Sequence, residues 1–177
     1  MTKIFTIGHS TRTIEEFIEL LKINGVKRLV DIRTVPRSRH NPHFEQGALE
    51  GSLAKRNIDY VYMKELGGLR SKIDGSTNTG WHNQSFRNYA DYMQSDEFAD
   101  GIKTLMQLAA EAPAAIMCAE AVPWRCHRSL VGDALMVRDV SVLDIMSKTS
   151  TKDHTLTSFA VVDGTKLTYP AVTAHEE

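Results

Sequence analysis

The sequence predicts an α/β protein: a Rossmann-like, open, mainly parallel five-stranded sheet in the order 3-2-1-4-5, with a C-terminal β-hairpin. Three observations lead there. Short apolar runs alternate with stretches of helical periodicity, the pattern of a parallel sheet covered on both faces. Polar, chemically capable residues cluster just past those runs, on one rim of the predicted sheet, where ligands of such folds bind. The chain has 177 residues, 42% hydrophobic and 24% charged, which suits one globular domain with a substantial core.

The elements follow in order. Ile4-Phe5-Thr6-Ile7 is a first strand, stopped by Gly8-His9-Ser10. Thr13-Ile14-Glu15-Glu16 has the form of a capping box, in which Thr and Glu satisfy free backbone N–H groups at a helix start. Ile14, Phe17, Ile18 and Leu21 then recur at helical spacing, and Asn24-Gly25 is a stop. Leu29 to Ile32 is the second strand. The segment from Arg33 to His43 contains Pro36 and Pro42, which disfavour a long helix, so it is a basic loop. A helix is expected from Gln46 to Arg56 and a third strand from Ile58 to Tyr62. Lys64 to Asn83 reads as a long loop. Phe86, Tyr89, Ala90 and Met93 mark one helix face, and Phe98, Ile102, Leu105 and Ala109 the next. Ala114 to Ala119 is the fourth strand, and Pro123 opens a helix to about Val137. Val140 to Met146 is the fifth strand. Ser158–Val162, Asp163-Gly164 and Thr165–Tyr169 form a hairpin on a two-residue turn. The chain divides into a core, 1–146, and this hairpin, 158–169, within a single domain.

Composition narrows the function. A net charge of −1 gives no global basic field of the kind a nonspecific nucleic-acid binder shows. No apolar run approaches a membrane span, and the N-terminus lacks a signal-peptide layout, so a cytoplasmic protein without membrane association is expected. Two cysteines are too few for a disulfide scaffold and are expected as reduced thiols.

Five pieces of sequence together resemble a known family. They are Thr6-Ile7-Gly8-His9-Ser10; Val30-Asp31-Ile32-Arg33 with Pro36 and Ser38-Arg39; Leu66-Gly67-Gly68 with Arg70; Met117-Cys118-Ala119-Glu120; and Cys126-His127-Arg128. In this order they resemble the domain of unknown function 488 family, over residues 4 to about 146. The resemblance implies a cytoplasmic α/β fold and the place of the site, but no reaction.

The candidate catalytic residues are Glu120, His9 and Cys118. Cys118 ends a strand before a predicted helix N-terminus, a place that favours thiolate. Burial opposes ionisation, and a strand thiol is more often a small hydrophobe. Glu120, two residues on, is a general base or the partner that orients arginines. His9 titrates near neutrality or bonds backbone. Arg33, Arg37, Arg39, Arg70 and Arg128 lie on separate loops sharing one rim, and guanidinium groups grip phosphate in pairs. Ser10, Arg33, Arg39, Gly67, Gly68, Arg70, Cys126, His127 and Arg128 are therefore candidate substrate-binding residues. Tyr60, Tyr62 and Trp81 stack a base or belong to the core. The eight-position step from Cys118 to Cys126 does not fit paired zinc ligands, so no metal and no other cofactor is expected. The expectation is an anion-binding cleft, in an enzyme of hydrolase or transferase type, for a phosphate-bearing small molecule or nucleic-acid end. Thiol chemistry through Cys118 on a small molecule, and a non-catalytic module reading a nucleic acid or phosphorylated partner, are the alternatives. Oligomeric state is left open.

Overall fold

A computed structural model describes residues 2–172. Six strands, β1 (Lys3–Gly8), β2 (Arg28–Asp31), β3 (Asp59–Tyr62), β4 (Ala114–Cys118), β5 (Ser141–Ser147) and β6 (Ser150–Asp153), form one sheet in the order β3-β2-β4-β1-β5-β6. The first five pair in parallel, and β6 closes the edge antiparallel to β5. The α/β class and the mainly parallel sheet are as the sequence predicts.

The strand order needs one correction. β4 lies between β2 and β1, not outside β1. The simplest order pairs the consecutive strands β1 and β2. Here the connection between them spans one strand, and β4, buried at all five positions, takes the enclosed place. The predicted adjacency of β1 and β4 holds.

Among the described residues five α-helices cover the sheet: α1 (Ile14–Ile23), α2 (Gln46–Ala54), α3 (Gln84–Tyr92), α4 (Asp96–Glu111) and α5 (Arg128–Met136). Alternation along the strands sorts them by face. Phe5, Ile7, Leu29 and Met117 meet Phe17, Leu21, Leu49 and Leu53 of α1 and α2. Ile4, Val30, Ile116 and Val142 meet Tyr89, Ile102 and Leu130 of α3, α4 and α5. The chain therefore leaves β1 toward one face and leaves β4, its neighbour, toward the other. That divergence opens a crevice beyond their carboxyl ends.

Local chemistry explains most boundaries. The Thr13 hydroxyl accepts the Glu16 N–H at 3.1 Å and caps α1. Gly25 supplies the left-handed turn (φ +70°) that ends it. Three boundaries differ from expectation. Pro123 begins a short 3-10 turn (Pro123–Arg125), and α5 starts only at Arg128. The polar strand β6 has no apolar pattern to announce it. The hairpin consists of β7 (Val161–Asp163) and β8 (Lys166–Thr168), with Asp163 paired to Lys166, so its two turn residues are Gly164 and Thr165. Leu167 and Tyr169 anchor the otherwise exposed hairpin to the main core. The long loop after β3 is anchored too: Asn78 donates to Asp91 at 2.7 Å and accepts the Tyr169 N–H at 2.9 Å. Among the described residues no helix is long and apolar enough to cross a membrane.

Candidate functional site

The ends of β1 and β4 are laced together. The His9 N–H donates to the Cys118 carbonyl at 3.0 Å, and the Ser10 N–H to the Ala119 carbonyl at 2.9 Å. Gly8 makes this approach possible, since a Cβ there would stand 1.6 Å from the Glu120 carbonyl oxygen. Arg128, almost fully buried, holds the same loop from below. Its Nη1 donates to the Glu120 carbonyl at 3.1 Å and lies 3.5 Å from the Cys118 sulfur; its Nη2 reaches the Ala121 carbonyl at 3.4 Å. Burial lowers its pKa to about 10, which leaves it charged at neutral pH. Arg128 is thus a positioning residue for the loop and does not line the cleft.

The opposite wall comes from β2 and β3. Asp31, with no exposed surface, accepts Arg33 Nε at 2.9 Å, Arg33 Nη2 at 2.7 Å and the Arg33 backbone N–H at 3.1 Å. The Tyr60 hydroxyl donates to the same carboxylate. Burial and then Asp31 raise the Tyr60 pKa, so the phenol stays a donor. Arg33 is 5% exposed, and its Nη1 is buried without a hydrogen-bond partner.

Between these walls lies a cavity of about 330 Å³, lined among others by Arg33, Gly68, Cys118, Glu120, Arg125 and His127. His127 donates from Nε2 to the Ile32 carbonyl at 3.0 Å. Burial pushes its pKa down to about 4, against the carbonyl contacts and with help from Arg128 and Arg70. The ring is neutral at physiological pH, and its Nδ1 faces the Cys126 sulfur at 3.4 Å. Gly68 packs so closely that a Cβ there would meet His127 Nδ1 at 2.5 Å. Gly67 is pressed in the same way against Thr34. Glu120 is exposed, and its carboxylate makes no ion pair among the described residues.

The sulfurs of Cys118 and Cys126 lie side by side, because the 3-10 turn at Pro123 folds the loop back on itself. Their Cα atoms are 7.3 Å apart, wider than a disulfide ordinarily spans. No group of three His, Cys, Asp or Glu among the described residues is placed to hold a metal.

The remaining candidates divide. His9 is buried, stacked on Phe44 with ring centroids 4.5 Å apart, and donates from Nδ1 to the Ser10 carbonyl. Its Nε2 is buried without a partner, and burial lowers its pKa. It stands behind the cleft and is absent from its lining. Ser10 serves through its backbone, with φ at 46°. Arg39 is exposed and lies away from the cleft. Arg70 donates to the Gly67 and Lys64 carbonyls at 3.0 and 2.9 Å and sits 3.7 Å over the Tyr92 ring. The chain's own backbone thus holds it out of the cleft. Arg125, Asn83, Ser85 and Phe86 line the cavity without having been singled out. Arg125 carried a signal, a cation beside Cys126, which the six residues between it and Cys118 obscured.

No curated protein and no solved structure matches the chain. The model of one family, described as "Domain of unknown function DUF488", matches residues 13–135, from the cap of α1 to the end of α5, and the chain belongs to that family.

Proposed function

We propose that the cleft binds the phosphate of a nucleotide or nucleic-acid end, and that the protein is a cytoplasmic enzyme of hydrolase or transferase type acting on that substrate. The carrying observation is Arg33. Arg33 lines the cavity, and Asp31 locks two of its three nitrogens, while the third, Nη1, is buried without a partner. A guanidinium fixed this way has already lost its rotamer freedom, so binding an oxyanion orders little more. Arg125 supplies a second cation on the facing wall. Glu120 supplies an unpaired carboxylate in the same cavity, suited to take a proton from an attacking water or hydroxyl. His127 has Nε2 tied to the Ile32 carbonyl and Nδ1 against the Cys126 sulfur, and His9 orients the β1 loop, so neither is the principal base.

The test is calorimetric titration of orthophosphate and of a nucleotide into the parent protein and Arg33→Ala. Loss of one charged hydrogen bond should weaken binding by about 1.5–3 kcal/mol. Unchanged affinity in the variant, or no binding by the parent, defeats the reading.

A second reading, thiol chemistry on a small molecule, has one observation in its favour. The two neighbouring sulfurs sit under cationic Arg128, whose guanidinium and backbone N–H approach Cys118 and Cys126 at 3.5 and 3.4 Å respectively. Arg128 would thus serve as a thiolate-stabilising donor to Cys118. Alkylation of the reduced protein at mildly acidic pH separates the two. Rapid labelling of Cys118 that abolishes turnover, with Glu120→Gln active, favours the thiol.

A further inference from the structure

A second cavity of about 330 Å³ opens on the other side of the Pro123 turn. Its walls include Trp81, Trp124, Lys152, Asp153 and Thr155. The chain has only two tryptophans, and both are here. Trp124 is 56% exposed, an unusual state for a large flat ring with no strand or helix to cover. The Lys152 ammonium stands 5.5 Å from its ring centroid.

The two cavities share a partition. Pro123 and Trp124 line this one, and the next two residues, Arg125 and Cys126, line the phosphate cleft. On the far side Trp81 lines this cavity, and Phe86, whose ring centroid is 5.0 Å away, lines the cleft. Both cavities therefore lie against one short turn and one aromatic pair.

We infer that the Trp124 cavity takes the base of a mononucleotide whose phosphate occupies the Arg33 cleft; this rests on the function proposed above and narrows its substrate class. A nucleobase is a flat ring with polar edges, suited to stack on an indole while its edge meets Lys152, Asp153 and Thr155. The cavity has the volume of a small-molecule site. A net charge of −1 offers no extended basic track for a polynucleotide, which favours the monomer.

Because the only tryptophans line this cavity, indole fluorescence reports on it directly. Adenosine monophosphate, orthophosphate and adenosine are titrated separately into the parent protein, Trp124→Ala and Arg33→Ala, following fluorescence and heat. Stacking of one base should make adenosine monophosphate bind about tenfold or more tighter than orthophosphate, with quenching that orthophosphate does not produce. Trp124→Ala, which removes an exposed side chain, should bring the nucleotide down to the affinity of orthophosphate. Equal affinities in the parent protein, and no change in Trp124→Ala, overturn the base cavity and leave the phosphate cleft standing. Nucleotide binding lost in Trp124→Ala but untouched by Arg33→Ala upholds the base cavity and overturns the phosphate cleft. A short single-stranded oligonucleotide should bind no better than the monophosphate, and a steep gain with length overturns the choice of a monomer.

Discussion

Two histidines, His127 and His154, lie near α5 in the same fold, both nearly buried, one neutral and one cationic at neutral pH. His127 faces carbonyl oxygens on one side and the cations Arg128 and Arg70 on the other, and burial drives its pKa down to about 4. His154 lies between two buried carboxylates. Its Nε2 is 2.9 Å from Asp133 and its Nδ1 is 3.6 Å from Asp144. Burial opposes its charge as well, but the carboxylates outweigh it and raise the pKa to about 9. The contrast extends to the surroundings. Asp133 also accepts the Thr157 N–H at 3.2 Å, the Thr157 hydroxyl at 2.7 Å and the Tyr169 hydroxyl at 2.9 Å, and Thr6 donates to Asp144. That cluster fastens the chain after β6 to α5 with its carboxylate oxygens paired. The cleft around His127 retains an unpartnered Arg33 nitrogen and an unpaired Glu120. The difference separates a polar cluster built for cohesion from one with capacity left for a ligand.

Removing Asp133 should have the largest effect on stability. Asp133→Ala strips His154 of its nearer counter-ion and leaves two hydroxyls and an N–H without their acceptor. Breaking a buried charge pair from one side typically costs about 3–5 kcal/mol. Urea unfolding measures it. A loss below about 1 kcal/mol would mean that this cluster is not what fastens the segment.

The next effect is the pH dependence of that cluster. The folded pKa of His154 is raised from 6.5 to about 9. Its contribution is therefore fully present below pH 6.5 and is lost as pH rises through 9, on the order of 3 kcal/mol in all. His127 has the opposite sign. Its folded pKa is depressed to about 4, so its effect is to lower stability as pH falls from 6.5 toward 4. Unfolding free energies across this range should fall on both sides. His154→Gln should flatten the alkaline side alone; an alkaline fall that persists in this variant would refute the assignment.

The cleft was more legible in the sequence than this cluster. Gly8-His9-Ser10 and Cys118-Ala119-Glu120 end adjacent strands, and strand ends are visible as the last apolar residue before a polar one. The α1 cap was legible because its partners lie three residues apart. By contrast, Asp133 meets His154, Thr157 and Tyr169 across 21 to 36 positions, and no local pattern announces such bonds. Arg70 was misplaced for a related reason. Its charge was readable, but not that nearby carbonyls and Tyr92 would hold it. The closeness of the Cys118 and Cys126 sulfurs and the late start of α5 both follow from the Pro123 turn, since proline at a first helical position suits a single 3-10 turn as well as a long helix.

A smaller effect should come from the glycines that seat the two rings. A Cβ at Gly68 would meet His127 Nδ1 at 2.5 Å, and one at Gly132 would meet His154 Nε2 at 2.9 Å. Each alanine variant overpacks its site and should cost about 1–3 kcal/mol. Their pH signatures should differ. Gly132→Ala pushes the ring off Asp133 and weakens the alkaline fall, while Gly68→Ala leaves it intact. Identical profiles in the two variants would remove the distinction between the clusters.

Glu120→Gln should change stability least. The side chain is exposed and makes no ion pair among the described residues, so the substitution should stay within about 0.5 kcal/mol. Phosphate affinity should rise. A carboxylate lining the cavity repels a bound anion, and relieving one such partly exposed charge contributes up to about 1 kcal/mol. Turnover should move the other way, because an amide cannot take a proton from the attacking group, and general-base catalysis typically contributes about 10²–10⁴-fold. Tighter binding with slower turnover is a combination that a merely structural Glu120 would not produce. Calorimetry with orthophosphate, beside turnover of any phosphorylated substrate found to react, reads both. A variant with unchanged turnover would return Glu120 to the rim as a solvated charge and make the cleft, like the Asp133 cluster, a site without chemistry of its own.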